Sequence, residues 1–174
     1  MAKKTVSVFG TSKALPGDGN WGLALRLGDI IARAGFNIAN GGYGGTMEAA
    51  AKAAVRAGAE VIGVTCSAFK RGSANPYVTR EIKTCSLSER LAKLVELGDA
   101  YIVLPGGTGT LLELAQVWEL KNKGFIPQSR PIIIVGSFWQ PIIGLVCAED
   151  PQAVGCVDCV DLPGQAVQIL ERCI

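Results

Sequence analysis

Pro105-Gly106-Gly107-Thr108-Gly109-Thr110-Leu111-Leu112-Glu113 follows directly on the apolar run Ala100-Tyr101-Ile102-Val103-Leu104. The junction predicts strand, phosphate loop, helix. Glycines let a backbone turn tightly and bring its N–H groups close to an anion, threonines add hydroxyls, and the following helix aims its positive dipole end at the same point. Gly106, Gly107, Thr108, Gly109 and Thr110 are therefore a candidate phosphate cradle. Glu113 lies just inside the helix, where a carboxylate is misplaced for a phosphate. It suits another part of a ligand, such as sugar hydroxyls or a cationic transition state. The same residues admit a plainer reading, because Thr110-Leu111-Leu112-Glu113 fits a capping box in which the glutamate folds back onto its own helix start.

Outward from this junction, short β-branched runs alternate with longer amphipathic or alanine-rich stretches. That alternation predicts an α/β, Rossmann-like three-layer fold: a mostly parallel sheet of about seven strands with helices on both faces. Strands are expected near 4–9, 36–39, 60–65, 78–83, 100–104, 131–135 and 157–160, and helices near 20–34, 45–57, 87–98, 110–122, 138–147 and 163–172. Asn20 is the expected cap of the first helix, and Gly35 and Gly58 end the first two. No linker or repeat divides the chain, so residues 1–174 read as one domain. The least regular stretch, 66–77, is expected to be a mobile loop near the site; it contains Lys70-Arg71-Gly72.

Two further strand ends carry the same chemistry as the first: Gly10-Thr11-Ser12, and Asn40-Gly41-Gly42-Tyr43-Gly44-Gly45-Thr46. In a parallel sheet all three ends share one edge, and ligands of such sheets bind beyond the carboxyl ends of the strands. Gly10, Thr11, Ser12, Gly42, Gly44, Gly45 and Thr46 thus join the cradle as candidate nucleotide-binding residues. None of these loops has the six-residue dinucleotide pattern or the Gly-Lys-Ser/Thr ending of a triphosphatase, so a ligand with one phosphate fits better.

Composition narrows the chemistry. Of 174 residues 49% are apolar and 18% charged, which suits a sheet covered on both faces. A net charge of +2 is too small to argue for nucleic acid or a membrane surface, and no apolar run is long enough to span a bilayer. With no secretory leader pattern the expected location is the cytoplasm, and the six cysteines are expected to be thiols. Cys156-Val157-Asp158-Cys159 reads as structural rather than as a metal site. Histidine is absent, which excludes nucleophile, acid/base and metal chemistry that this chain would supply through imidazole.

Arg90 is singled out by its helix. Leu87, Leu91, Leu94, Val95 and Leu97 form one apolar arc, Glu89, Lys93 and Glu96 the opposite face, and Arg90 falls inside the arc. An arginine there calls for a buried partner or a snorkelling stem. Trp118 and Trp139, on apolar helices, suggest packing on a second subunit, so a homodimer or higher even homo-oligomer is expected.

Val8-Phe9-Gly10-Thr11-Ser12, Gly41-Gly42-Tyr43-Gly44-Gly45-Thr46-Met47, Glu60-Val61-Ile62-Gly63-Val64 and the Pro-Gly-Gly-x-Gly-Thr-x-x-Glu run at 105–113 together resemble the LOG (Lonely Guy) family, nucleoside 5′-monophosphate phosphoribohydrolases labelled in places as lysine decarboxylases. The resemblance covers nearly the whole chain. By position it implies that Glu113 and Arg90 are catalytic, and that Gly106, Gly107, Gly109 and Thr110 bind phosphate with the Gly42–Gly45 turn beside them. It implies cleavage of the N-glycosidic bond of a nucleotide such as AMP or a cytokinin riboside monophosphate, with no cofactor. A decarboxylase is not implied, because no lysine lies in a Schiff-base motif. Three positions depart from the family pattern: Leu91 stands where a lysine usually follows the arginine, Leu94 where a methionine comes three residues later, and Glu48 where a small residue is general. These departures resemble divergent branches, including molybdenum-cofactor carrier proteins, and a non-catalytic carrier of a nucleotide-like or phosphorylated ligand stands as the alternative.

Overall fold

The computed structural model describes residues 3–69 and 73–174; Lys70, Arg71 and Gly72 of the expected loop lie outside them. Seven strands form one sheet: β1 (Thr5–Phe9), β2 (Asn37–Asn40), β3 (Val61–Cys66), β4 (Arg80–Thr84), β5 (Ala100–Val103), β6 (Ile132–Val135) and β7 (Asp158–Val160). Their order is β4-β3-β2-β1-β5-β6-β7, and every pairing is parallel. The helices are α1 (Gly19–Arg33), α2 (Thr46–Arg56), α3 (Leu87–Leu97), α4 (Thr108–Asn122), α5 (Gln140–Glu149) and α6 (Pro163–Cys173), with a 3₁₀ turn at Pro151–Cys156 between α5 and β7. The expected three-layer architecture is the one found.

The unbroken apolar strands follow from burial on both faces. Along β6, Ile133 and Val135 face one core with α1, α2 and α6, while Ile132 and Ile134 face the other with α3, α4 and α5. Period-two alternation thus divides one apolar run between two cores. α1 and α2 pack at close range, the backbone of Ala50 lying where a side chain on Gly28 would stand.

Three expectations are corrected. Both indoles are buried in the second core: Trp118 donates Nε1–H to the carbonyl of Ala153 (2.9 Å) and Trp139 to that of Leu104 (3.0 Å). They fill space within the subunit and give no argument for a second one. The first helix takes Asp18, not Asn20, as its N-cap, and the Asp18 carboxylate turns away from the helix to accept from the N–H of Leu15 (2.8 Å). Third, α4 starts at Thr108 with Gly107 as N-cap, three residues before the box would require, so Glu113 sits in the second turn and caps nothing. Ser86 does cap α3: its side chain accepts from Glu89 N–H, while the Glu89 carboxylate reaches back one residue further to accept from the N–H of Cys85.

Strands β1 and β5 are neighbours although three strands separate them in the chain, and the connections run in opposite directions from this pair. That is the topological switch point of the sheet, where a crevice opens between the diverging loops. Gly10-Thr11-Ser12 leaves β1 and Pro105–Gly107 leaves β5 on the two sides of it.

Candidate functional site

A cleft of about 670 Å³ occupies the switch point, a volume in the range of small-molecule sites. One wall is Gly10, Thr11, Ser12 and Lys13, and the other is Gly107, Thr108, Gly109 and Thr110 with Leu112 and Glu113. The first backbone N–H groups of α4 have no acceptor within the helix; its first helical bond beyond the cap runs from Leu111 N–H to the carbonyl of Gly107 (3.0 Å). These N–H groups and the α4 dipole face the cleft from its end wall, an arrangement suited to an anion.

Arg90 is held in α3 with only 7% of its surface exposed. Its Nε donates to the carbonyl of Val64 (2.8 Å), and its guanidinium lies 5.8 Å from the ring centroid of Tyr43 and 5.7 Å from that of Phe69. The Tyr43 hydroxyl in turn accepts from Cys66 N–H (2.9 Å) and donates to the Cys66 carbonyl (3.3 Å). Arg90 Nη1 stands 3.6 Å from Glu113 Oε1, both side chains about one-tenth exposed. The arginine expected to need a buried partner has one. Burial pushes the Glu113 carboxyl up to about 7 from an ordinary 4.5, and the positive charge of Arg90 offsets only part of that rise.

The glycine-rich loop before α2 is built to admit this arginine. Asn40 spans it, accepting from Gly42 N–H (2.8 Å) and donating to the carbonyl of Met47 (3.1 Å). A side chain on Gly41 would occupy the position of Arg90 Nη2. Gly45 has φ of +71°, and a side chain there would run into the backbone of Thr11 and Ser12.

Among the expected site residues the structure therefore separates lining from bracing. Gly10, Thr11, Ser12, Gly107, Thr108, Gly109, Thr110, Arg90 and Glu113 line the cleft, and Gly44 lines an adjoining compartment. Gly42, Gly45, Gly106 and Thr46 line neither. Gly42 gives its N–H to Asn40 and its carbonyl to Asn75, while Gly106 lies against the side chain of Thr110. Thr46 turns both its N–H (2.9 Å) and its hydroxyl (3.0 Å) onto the carbonyl of Thr11, tying two loops together.

Sequence reasoning missed seven lining residues, among them Lys13, Tyr43, Phe69, Leu87 and Leu91. Lys13 had a signal, since it extends the Gly-Thr-Ser run at the end of β1. Phe69 had only a general one, as part of the 66–77 stretch expected near the site; the folded β3–β4 connection brings it across to Arg90.

Comparison with known proteins shows the family of the chain. The family profile described as "possible lysine decarboxylase" matches residues 47–160. A cytokinin riboside 5′-monophosphate phosphoribohydrolase of Rhodococcoides fascians is 32% identical over 150 residues, covering 82% of this chain and 74% of that one. A Mycobacterium tuberculosis protein of the same name is 34% identical over 116 residues, 65% of this chain and 60% of that one. Among solved structures, the molybdenum cofactor binding protein of Rippkaea orientalis superposes with a TM-score of 0.80 at 23% identity, over 99% of this chain and 98% of that one. At that identity the likeness speaks for the fold. Taken with the strand-end loops and the Arg90–Glu113 pair, the profile match and the Rhodococcoides relative establish that the chain belongs to the LOG family.

Proposed function

We propose that this protein hydrolyses the N-glycosidic bond of a nucleoside 5′-monophosphate, releasing free base and ribose 5-phosphate. The observation that carries the reading is the buried Arg90–Glu113 pair (3.6 Å) in the same cleft as the α4 N-terminus. The 5′-phosphate binds the N–H groups and hydroxyls of Thr108 and Thr110 and the ammonium of Lys13. The ribose then lies over Glu113.

Departure of the base leaves positive charge on C1′ and its ring oxygen, and an ionised carboxylate beside them stabilises that charge where water is largely excluded. Water adds its oxygen to C1′ as the C1′–N bond breaks. Its proton passes to Glu113, while the bonding pair leaves with the base nitrogen, which is protonated in turn. A carboxyl that titrates near 7 is suited to taking a proton at neutral pH. Arg90 fixes the carboxylate and, with donors beyond those given to Val64 and Glu113, holds the reacting end of the sugar.

The carrier reading draws on one specific residue: Leu91 puts an apolar side chain in the cleft next to Arg90. Incubation with a panel of nucleoside monophosphates, assayed for free base and ribose 5-phosphate, separates the two. Release of both products supports hydrolysis; binding of a monophosphate without release of either favours the carrier. The proposal includes a homodimer or higher even assembly, resting on Leu87 and Leu112, which are 40% and 42% exposed at the cleft.

A further inference from the structure

A second compartment of about 470 Å³ adjoins the cleft and shares Ser12 and Tyr43 with it. Its remaining wall comes from Gly44, Glu48 and the Ser73–Pro76 segment. Two of its polar side chains are already committed. Asn75 donates its amide to the carbonyls of Gly42 (3.2 Å) and Tyr43 (2.9 Å) and accepts from Tyr77 N–H (3.1 Å). The Tyr43 hydroxyl is bound to the backbone of Cys66.

Glu48 is different. It is half-buried in the first turn of α2, and among the described residues no hydrogen bond or ion pair reaches its carboxylate. Favourable interaction with the helix dipole accounts for an acid in that turn. It does not account for a carboxylate that has no partner among the described residues and stands on the wall of a compartment adjoining the cleft.

We infer that Glu48 selects the ligand's base, and that the favoured base presents two adjacent N–H donors, a ring N–H beside an exocyclic amine. The inference rests on the nucleotide reading above. A carboxylate only accepts hydrogen bonds, and its two oxygens match two parallel donors. Guanine carries such an edge. Adenine and cytosine set a lone-pair nitrogen beside their amine, which faces a carboxylate oxygen unfavourably, and hypoxanthine and uracil have a ring N–H without the amine. The compartment's negative charge also fixes the ligand's direction, repelling phosphate towards the α4 terminus and Lys13. The 2-amino-4-oxo edge of a pterin has the same donors, so a phosphorylated pterin is a second source of the same chemistry.

Calorimetric titration of the wild-type protein with GMP, AMP, IMP and a phosphorylated 2-amino-4-oxopteridine tests this without requiring turnover. GMP is expected to bind at least tenfold more tightly than AMP or IMP. A pteridine tighter than GMP supports the same recognition with the other source. Glu48→Gln, whose amide offers one acceptor and one donor, is expected to weaken GMP about tenfold while leaving AMP unchanged or tighter. AMP binding as tightly as GMP to the wild type, equal loss of both in Glu48→Gln, or no binding of any of the four overturns the inference. The wild-type comparison decides the matter even if the variant does not fold. Glu48-dependent binding of GMP without base release leaves the inference standing and defeats hydrolysis; release from AMP and GMP alike, indifferent to Glu48→Gln, does the reverse.

Discussion

Arg90 Nη1 and Glu113 Oε1 stand 3.6 Å apart, joining α3 to α4 across the cleft floor. The separation is an ion pair longer than a hydrogen bond, and it leaves the carboxylate oxygens open to a ligand. Each residue is fixed by different means: Arg90 by the Val64 carbonyl and two aromatic rings, Glu113 by its place in the second turn of α4.

Glu113→Gln should keep the fold and bind nucleoside monophosphate within a few-fold of wild type, yet lower kcat by about 10²–10⁴. The amide neither stabilises a cation nor takes a proton. Single-turnover base release alongside equilibrium binding measures the split; an unchanged kcat defeats the catalytic role.

The rise of the Glu113 carboxyl has a signed consequence for stability. The folded protein holds this proton up to about 7 and the unfolded chain only to about 4.5. Between those values the folded state carries the extra proton, so stability falls as pH rises through the window and the loss is complete above it. Its full size is on the order of 3 kcal/mol. Denaturant melts of wild type and Glu113→Gln should therefore diverge from pH 4.5 to pH 8, with the variant gaining relative stability. Parallel curves would show that the carboxyl titrates normally.

In catalysis the same group should give kcat/KM a rising limb with an apparent pKa near 7. The substrate phosphate titrates about one unit lower. A pH profile with a slowly reacting analogue of constant phosphate charge distinguishes them, since only the Glu113 limb survives.

Gly41→Ala inserts a methyl group where Arg90 Nη2 lies, forcing the guanidinium off its Val64 and Glu113 contacts. A cost of about 1–3 kcal/mol is expected, with loss of base release. Gly144→Ala in α5 is the control, because open space surrounds that position and it lies outside the cleft lining; it should retain far more activity.

Lys13→Ala should raise KM about tenfold with little change in kcat, and should flatten the salt dependence of KM, if its ammonium binds the phosphate as proposed. Equal salt dependence in the two proteins would remove Lys13 from the phosphate site. Light scattering at micromolar concentration should show a dimer or higher even assembly; a single monomeric species removes that part of the proposal.

The parallel sheet and the loop residues Gly10–Ser12 and Gly107–Thr110 of the switch-point cleft were legible because both are local in sequence: apolar runs end in glycine and threonine three times over. Arg90 was legible for a different reason, as a charge on an apolar arc. Two things were not. Ser/Thr-x-x-Glu occurs at Ser86 and at Thr110, and only the first is a cap. What distinguishes them is tertiary: the second glutamate faces a buried cation on another helix, and a glycine starts the helix earlier. The indoles misled because their helices look apolar all round, while their burial depends on the 3₁₀ turn and the Leu104 carbonyl, which no periodicity announces.

Strands β3 and β4 are joined, among the described residues, without a helix, unlike every other pair of successive strands. The Ser73–Pro76 segment that walls the second compartment therefore belongs to neither core. Lengthening such a connection costs only about 0.6 kcal/mol per doubling, whereas moving Arg90 or Glu113 disturbs packed helices. Descent with modification meets little resistance in one place and much in the other, so new ligand preferences arise most readily by rewriting this crossover around an unaltered pair of charges.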